Sequence, residues 1–202
     1  MSLAMKPGAM QLAVTPNRLL PSWVVSAALI ASASAAWMAV SRLRAASRDH
    51  RGGRSPTSRV GNAAWGTVGV QMAAYELALS YAREREQFGR PIAGFQLMQD
   101  LLVKMLGNVT ASLGMAVRNA QLLDAGDGSD AHSSLAKAFC ASRMRETVAW
   151  ARQLVGGNGI LLGNGVARYF ADAEALFSFE GTHEMNTLIV GKAVTGHSAF
   201  TR

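Results

Sequence analysis

Four short stretches of this 202-residue chain carry side chains that could do chemistry. In Ser178-Phe-Glu-Gly-Thr-His-Glu-Met-Asn186 a lone carboxylate, Glu180, ends an apolar run and precedes a glycine. If it is buried among Phe177, Phe179 and Gly181, desolvation disfavours its charged form and makes it a general base usable near neutral pH. The alternative is a surface acid, or an acid at a helix start stabilised by the helix dipole. His183 and Glu184 lack metal-ligand spacing and a second nearby histidine, so no metal site is expected.

The second stretch, Arg83 to Gln96 (REREQFGRPIAGFQ), places arginines and Phe88 at a helix end beside glycines. It is either a solvated, capped terminus or an anion site in which Arg85 forks onto phosphate oxygens with backbone N–H groups assisting. The third, Gln153 to Ile160 (QLVGGNGI), is either a helix C-cap or a place where two adjacent glycines let a flat ligand approach the backbone. The fourth comprises the aromatic residues and ten methionines, whose helical spacing reads as core packing. The single cysteine, Cys140, cannot form an internal disulfide and reads as a small core residue.

Helices must position these groups. Trp65, Val68, Met72, Tyr75, Leu79 and Ala82 lie on one helix face, and the turn RPIAGF ends that helix. Leu97, Leu101, Met105, Val109, Leu113, Val117 and Leu122 repeat the pattern up to GDGSD, where Ser129 or Asp130 can cap a third helix. That helix closes at Gly156-Gly157-Asn158-Gly159. A fourth spans GVARYFADAEALFSF, and a fifth, capped by Thr182, follows in THEMNTLIVGKAVTGHSAF. No stretch alternates at period two, so residues 61–202 are expected to form an all-α, up-and-down helical bundle without a sheet.

Residues 1–60 are different. They hold 8 Lys/Arg against 1 Asp, whereas residues 61–202 balance 12 against 12, so the net charge of +7 belongs to the leader. The bundle therefore lacks the basic footprint of a nucleic-acid binder. Leu19 to Ser41 is uncharged and flanked by basic residues, which suits a membrane anchor or an export-like segment, and Ala-Ser-Ala steps imitate a cleavage site. Its Ala/Ser-rich second half weakens insertion, so a poorly structured or single-helix leader unrelated to the fold is the competing reading. Residues 42–60 are a linker by composition. The expected location is cytoplasmic, or membrane-associated if segment 19–41 inserts; a membrane-tethered helical adaptor rests on that segment alone.

Taken together, AWGTVGVQMAAYE, REREQFGRPIAGFQ, QLVGGNGI and FEGTHEMNTLIVGKAVTGHSAF resemble the acyl-CoA dehydrogenase family from about Ala64 to Phe200, most closely its glutaryl-CoA dehydrogenase branch. The resemblance implies an FAD-dependent α,β-dehydrogenation of an acyl-CoA, with electrons passed to an electron-transfer flavoprotein. It implies that Glu180 is the base, that Gly181 lines the acyl chain and that Thr182 touches the flavin. It places Arg85 and Gln96, with Phe88 in the same motif, at FAD across a subunit interface. Gln153, Gly156, Gly157 and Phe200 become further FAD contacts. Contacts across subunits imply a homo-oligomer, usually a tetramer. Arg59 falls near an arginine of the branch's substrate site, one residue out of register. Phe179 stands where relatives carry Tyr, and Gly163-Asn164-Gly165 replaces an acidic-aromatic pair. The family's N-terminal helical and middle β domains have no counterpart in residues 1–60. Two expectations follow: a dehydrogenase present as a fragment, or a catalytically inactive helical remnant acting only in oligomer assembly.

Overall fold

The computed structural model describes residues 56–200; the apolar segment 19–41 and most of the linker lie outside the described residues. Five α-helices follow in order: α1 (Pro56–Glu84), α2 (Gln96–Asp124), α3 (Asp130–Val155), α4 (Val166–Ser178) and α5 (His183–Thr195). Helix α1 is described from Pro56, so residues 56–60 are helical rather than part of the linker expected from composition.

Helix direction follows from side chains that touch across the bundle. Gln71 Nε2 of α1 donates to the Cys140 carbonyl of α3 at 3.2 Å, and Ser112 Oγ of α2 donates to Gln71 Oε1 at 3.2 Å. A Cβ added at Gly61 would lie 3.0 Å from Asn119 Nδ2 and 3.5 Å from Ser133 Oγ. At the other end Asn158 Nδ2, just past α3, donates to the Tyr81 hydroxyl at 3.0 Å. Helices α1 and α3 therefore run parallel, with α2 antiparallel to both. Helix α4 descends along α3, pairing Glu174 with Arg145 and Phe177 with Lys137. The expected up-and-down bundle is what forms.

The core sits where α1, α2 and α3 meet. Ala74, Ala78, Ala82, Met105, Met144 and Val148 are buried together, and the short alanines let α1 approach α3 closely. Among the described residues only α2 is long and apolar enough to cross a membrane. In this fold it packs into the bundle through Leu101, Met105, Val109 and Ala116.

Local signals set the ends. Ser129, rather than Asp130, caps α3 by accepting from the His132 N–H, and Thr182 caps α5 by accepting from the Met185 N–H, both at 3.3 Å. The α1–α2 connection corrects one expectation, because it contains a small antiparallel ribbon of Glu86–Gln87 with Arg90–Pro91. Phe88 (φ 53°) and Gly89 (φ 77°) form its two-residue turn, with the positive φ values that match strand twist. Strands of two residues are too short for alternation to reveal them.

Candidate functional site

The loops of an up-and-down bundle sort to two ends, and the sequence-predicted site residues sort with them. The α1–α2 and α3–α4 connections share one end, joined by the Asn158–Tyr81 hydrogen bond. Arg85, Phe88, Gln96, Gln153, Gly156 and Gly157 all belong to this end and all are exposed. The α4–α5 turn lies at the opposite end with Glu180, Gly181 and Thr182, where Arg59 in the first turn of α1 is also found. The 13 residues of α4 separate the two groups by about 20 Å. Phe200 lies beyond the end of α5.

At the first end, the glycine loop is open. Gly156 closes α3 with φ 66°, and an added Cβ at Gly156 or Gly157 would meet nothing within 4 Å. Asn164 Nδ2 donates to the Asn158 carbonyl at 2.9 Å, bracing the loop from behind. Phe88 is 92% exposed at the ribbon tip, its ring edge-to-face with Phe95 at 6.0 Å between centroids, while the Arg90 guanidinium lies 4.2 Å over the Phe95 ring. Arg85 forms no ion pair with any described residue, which leaves its fork directed to solvent. A flat group with an anionic tail fits this surface: open backbone, an aromatic ring and free guanidinium donors.

At the second end, Glu180 is exposed among the described residues rather than buried among Phe177, Phe179 and Gly181 as expected. Phe179 is itself 49% exposed, and Phe177 turns away to stack on His183 at 5.5 Å between ring centroids. The turn is nevertheless tightly held. Glu180 adopts φ 57° and Gly181 φ 85°, left-handed values that only Gly takes without cost. Lys137 Nζ, from α3, donates to the Phe177 carbonyl at 2.9 Å and to the Gly181 carbonyl at 2.5 Å. Asn186 Nδ2 donates to the Gly181 carbonyl at 3.0 Å and to the Thr182 carbonyl at 2.9 Å. Gly181 also answers a close approach, since a Cβ there would lie 3.1 Å from Asn186 Nδ2.

Lys137 and Asn186 were not singled out by sequence reasoning. Both side chains are fully buried. Burial pulls the Lys137 ammonium below its usual pKa, and the nearby Glu184 and Glu180 carboxylates oppose that shift. The available signal was a lysine on the apolar face of LAKAFCAS, in register with Cys140 and Ala141. Among the described residues no group of three or more His, Cys, Asp or Glu is placed to hold a metal ion.

The profile of the acyl-CoA dehydrogenase C-terminal domain matches residues 57–195, more than half of the chain. The chain belongs to the acyl-CoA dehydrogenase family. It is 33% identical over 132 residues to a 3-(aryl)acrylate reductase of Clostridium sporogenes, covering 65% of this chain and 35% of that protein. A crystal structure of glutaryl-CoA dehydrogenase from Mycobacterium smegmatis superposes with a TM-score of 0.70 at 35% identity, over 72% of this chain and 38% of that one. A second glutaryl-CoA dehydrogenase structure from M. smegmatis, in complex with FADH2, gives a TM-score of 0.68 at 29% identity, over 70% and 37%. The chain thus spans about a third of the length of the curated relatives it matches. These likenesses bear out the resemblance read from the four motifs and the helical architecture it implied.

Proposed function

We propose that this chain is the helical C-terminal part of an FAD-dependent acyl-CoA dehydrogenase in which Glu180 removes the α-proton of an acyl-CoA thioester. The observation that carries this is the Glu180 turn: an exposed carboxylate on left-handed backbone, fixed from behind by two buried side chains. A base that must meet an external substrate needs reach and fixed orientation together. Gly181, without a Cβ, leaves room for an acyl chain beside the carboxylate, and Thr182, whose Oγ1 accepts the Met185 N–H as the α5 cap, is the flavin-contacting candidate of the same turn.

The open end of the bundle would hold FAD through Arg85 and Gln96, with Gln153, Gly156, Gly157 and Phe88 along it; Phe200 is a further candidate. Bound FAD would take the β-hydrogen as hydride and later yield its electrons, for which an electron-transfer flavoprotein is the proposed acceptor. The separation of about 20 Å along α4 supports an assembly in which Arg85 and Gln96 of one copy serve the Glu180 of another. A homo-oligomer is thereby part of the proposal. Glutaryl-CoA-like substrates are favoured by the similarity to glutaryl-CoA dehydrogenase structures, with Arg59 the cationic candidate at the Glu180 end.

The test is the visible spectrum of the chain purified with added FAD and desalted. Retained flavin bands that bleach with acyl-CoA, and no longer do so in Glu180→Gln, are the expected result. Flavin retained without bleaching sinks the role of Glu180. A second reading is assembly without catalysis, for which the exposed Leu97, Leu162 and Val194 offer apolar contact points. A colourless, helical protein that self-associates would support that reading instead.

A further inference from the structure

Among the described residues Lys137 is the largest side chain that the fold buries completely, and it is charged. A buried ammonium is costly unless its donors are used, and here two of three are. Its acceptors are the carbonyls of Phe177 and Gly181, one on each side of Ser178-Phe179-Glu180. The Phe177 carbonyl belongs to the last turn of α4, where no helical N–H remains to satisfy it. One ammonium thus closes the end of α4 and the start of the α5 cap at once.

We propose that Lys137 is the positioning residue of Glu180: it clamps the turn through these two carbonyls and so fixes where the carboxylate projects. This rests on Glu180 being the base. The left-handed conformation of Glu180 is one that a non-glycine residue leaves unless its surroundings over-determine it. Its own side chain makes no hydrogen bond or ion pair to a described residue that would do so. The over-determination comes from Lys137 on the inner side and from Asn186, which shares the Gly181 carbonyl and adds that of Thr182. The Phe177 ring is held in turn by the Arg145 guanidinium, 4.5 Å above it, which also bonds Glu174 at 2.7 Å. Lys137 touches neither end of the open glycine loop, so its effect is confined to the Glu180 turn.

Amide hydrogen exchange and carbonyl ¹³C spectra of the full chain test the clamp without needing activity. In Lys137→Met, the Phe179, Met185 and Asn186 amides should exchange at least about tenfold faster than in wild type, as loss of a charge-assisted hydrogen bond implies. The α1 amides should keep their protection. Met144→Ala, in the same helix but away from the turn, should loosen the bundle without singling out those three. In the wild-type chain, which needs no variant to fold, the Phe177 and Gly181 carbonyl carbons should move together with the titration of the Lys137 side chain. Turn amides unchanged in a folded Lys137→Met, or carbonyls blind to that titration, overturn the proposal. Where the flavin-loaded chain bleaches, Lys137→Met should slow bleaching at saturating acyl-CoA and leave the half-saturating concentration in place; an unchanged rate overturns it as well. If wild type does not bleach, the role of Glu180 fails, while exchange and carbonyl spectra still decide the clamp.

Discussion

Helices α1 to α3 and helices α4 to α5 are held by different balances of apolar burial and directional contact. In the first group the buried residues are mostly apolar, with Ala64, Ala78, Met105, Cys140, Met144 and Val148 all fully enclosed. In α5 the only buried residue is polar, Asn186, and α4 buries only Val166 and Ala173. Helix α4 joins the apolar core through these two, with Tyr169 and Leu176 packed against it, and directional contacts then fix the C-terminal pair: the Lys137 and Asn186 hydrogen bonds, the Arg145–Glu174 ion pair and Arg145 over Phe177. Apolar burial makes a scaffold that tolerates no voids but demands little geometry. Hydrogen bonds to backbone carbonyls fix a turn to within tenths of an ångström, which is what a carboxylate needs in order to meet a substrate atom. The region carrying Glu180 is therefore the less deeply packed one.

That contrast breaks first in the core. Met144→Ala empties a site enclosed on all sides, and large-to-small changes of this kind cost about 2–5 kcal/mol. Urea unfolding should show a lower midpoint with an unchanged slope, and the loss should be shared by every helix. A cost under about 1 kcal/mol would mean the three-helix core is looser than its burial implies.

The thiol of Cys140 sharpens the same point through pH. Burial pushes it up from 9.0 to about 11, with the nearby Ser112 and Thr67 side chains opposing. Between those values the unfolded chain has lost the proton while the folded chain keeps it. Stability from this group is thus intact below pH 9 and falls as pH rises toward 11. Two units correspond to about 2–3 kcal/mol. Other groups titrate there, so the quantity to measure is wild type minus Cys140→Ala across pH 8 to 11. A flat difference would show that the thiol is not enclosed.

The core was largely legible in the sequence, and the C-terminal turn only in part. Val68, Met72, Leu101, Met105 and Val109 announced their faces by helical spacing, although Leu97 and Val117 of the same expected stripe are exposed. The caps Ser129 and Thr182 were readable because an N-cap needs a particular side chain at one position. Lys137 was not, since a lysine in a helical run is ordinarily a solvated one, and nothing local says that its partners lie 40 and 44 residues away. The exposure of Glu180 escaped for a related reason. Apolar neighbours in sequence suggest burial only while the helix continues, and α4 ends at Ser178, turning Phe179 outward. The two-ended division of the site residues follows from the alternation of helix directions, so it could have been drawn from the element order before any contact was known.

The smallest of these effects probes the C-terminal attachment itself. Asn186→Ala removes one amide that serves two carbonyls, Gly181 and Thr182, at a position sealed from water. Each carbonyl keeps another route: Lys137 still reaches Gly181, and the Asn186 backbone N–H still bonds the Thr182 carbonyl at 3.1 Å. The cost should accordingly sit near the low end of the range for a lost buried hydrogen bond, about 1 kcal/mol. Its signature should be regional. Exchange should quicken across His183 to Thr195 while α1 to α3 amides hold their rates, because α5 can loosen without opening the apolar core. Uniform quickening through all five helices would show that α5 unfolds only with the rest, and that the two regions form one cooperative unit despite their different balances of apolar burial and directional contact.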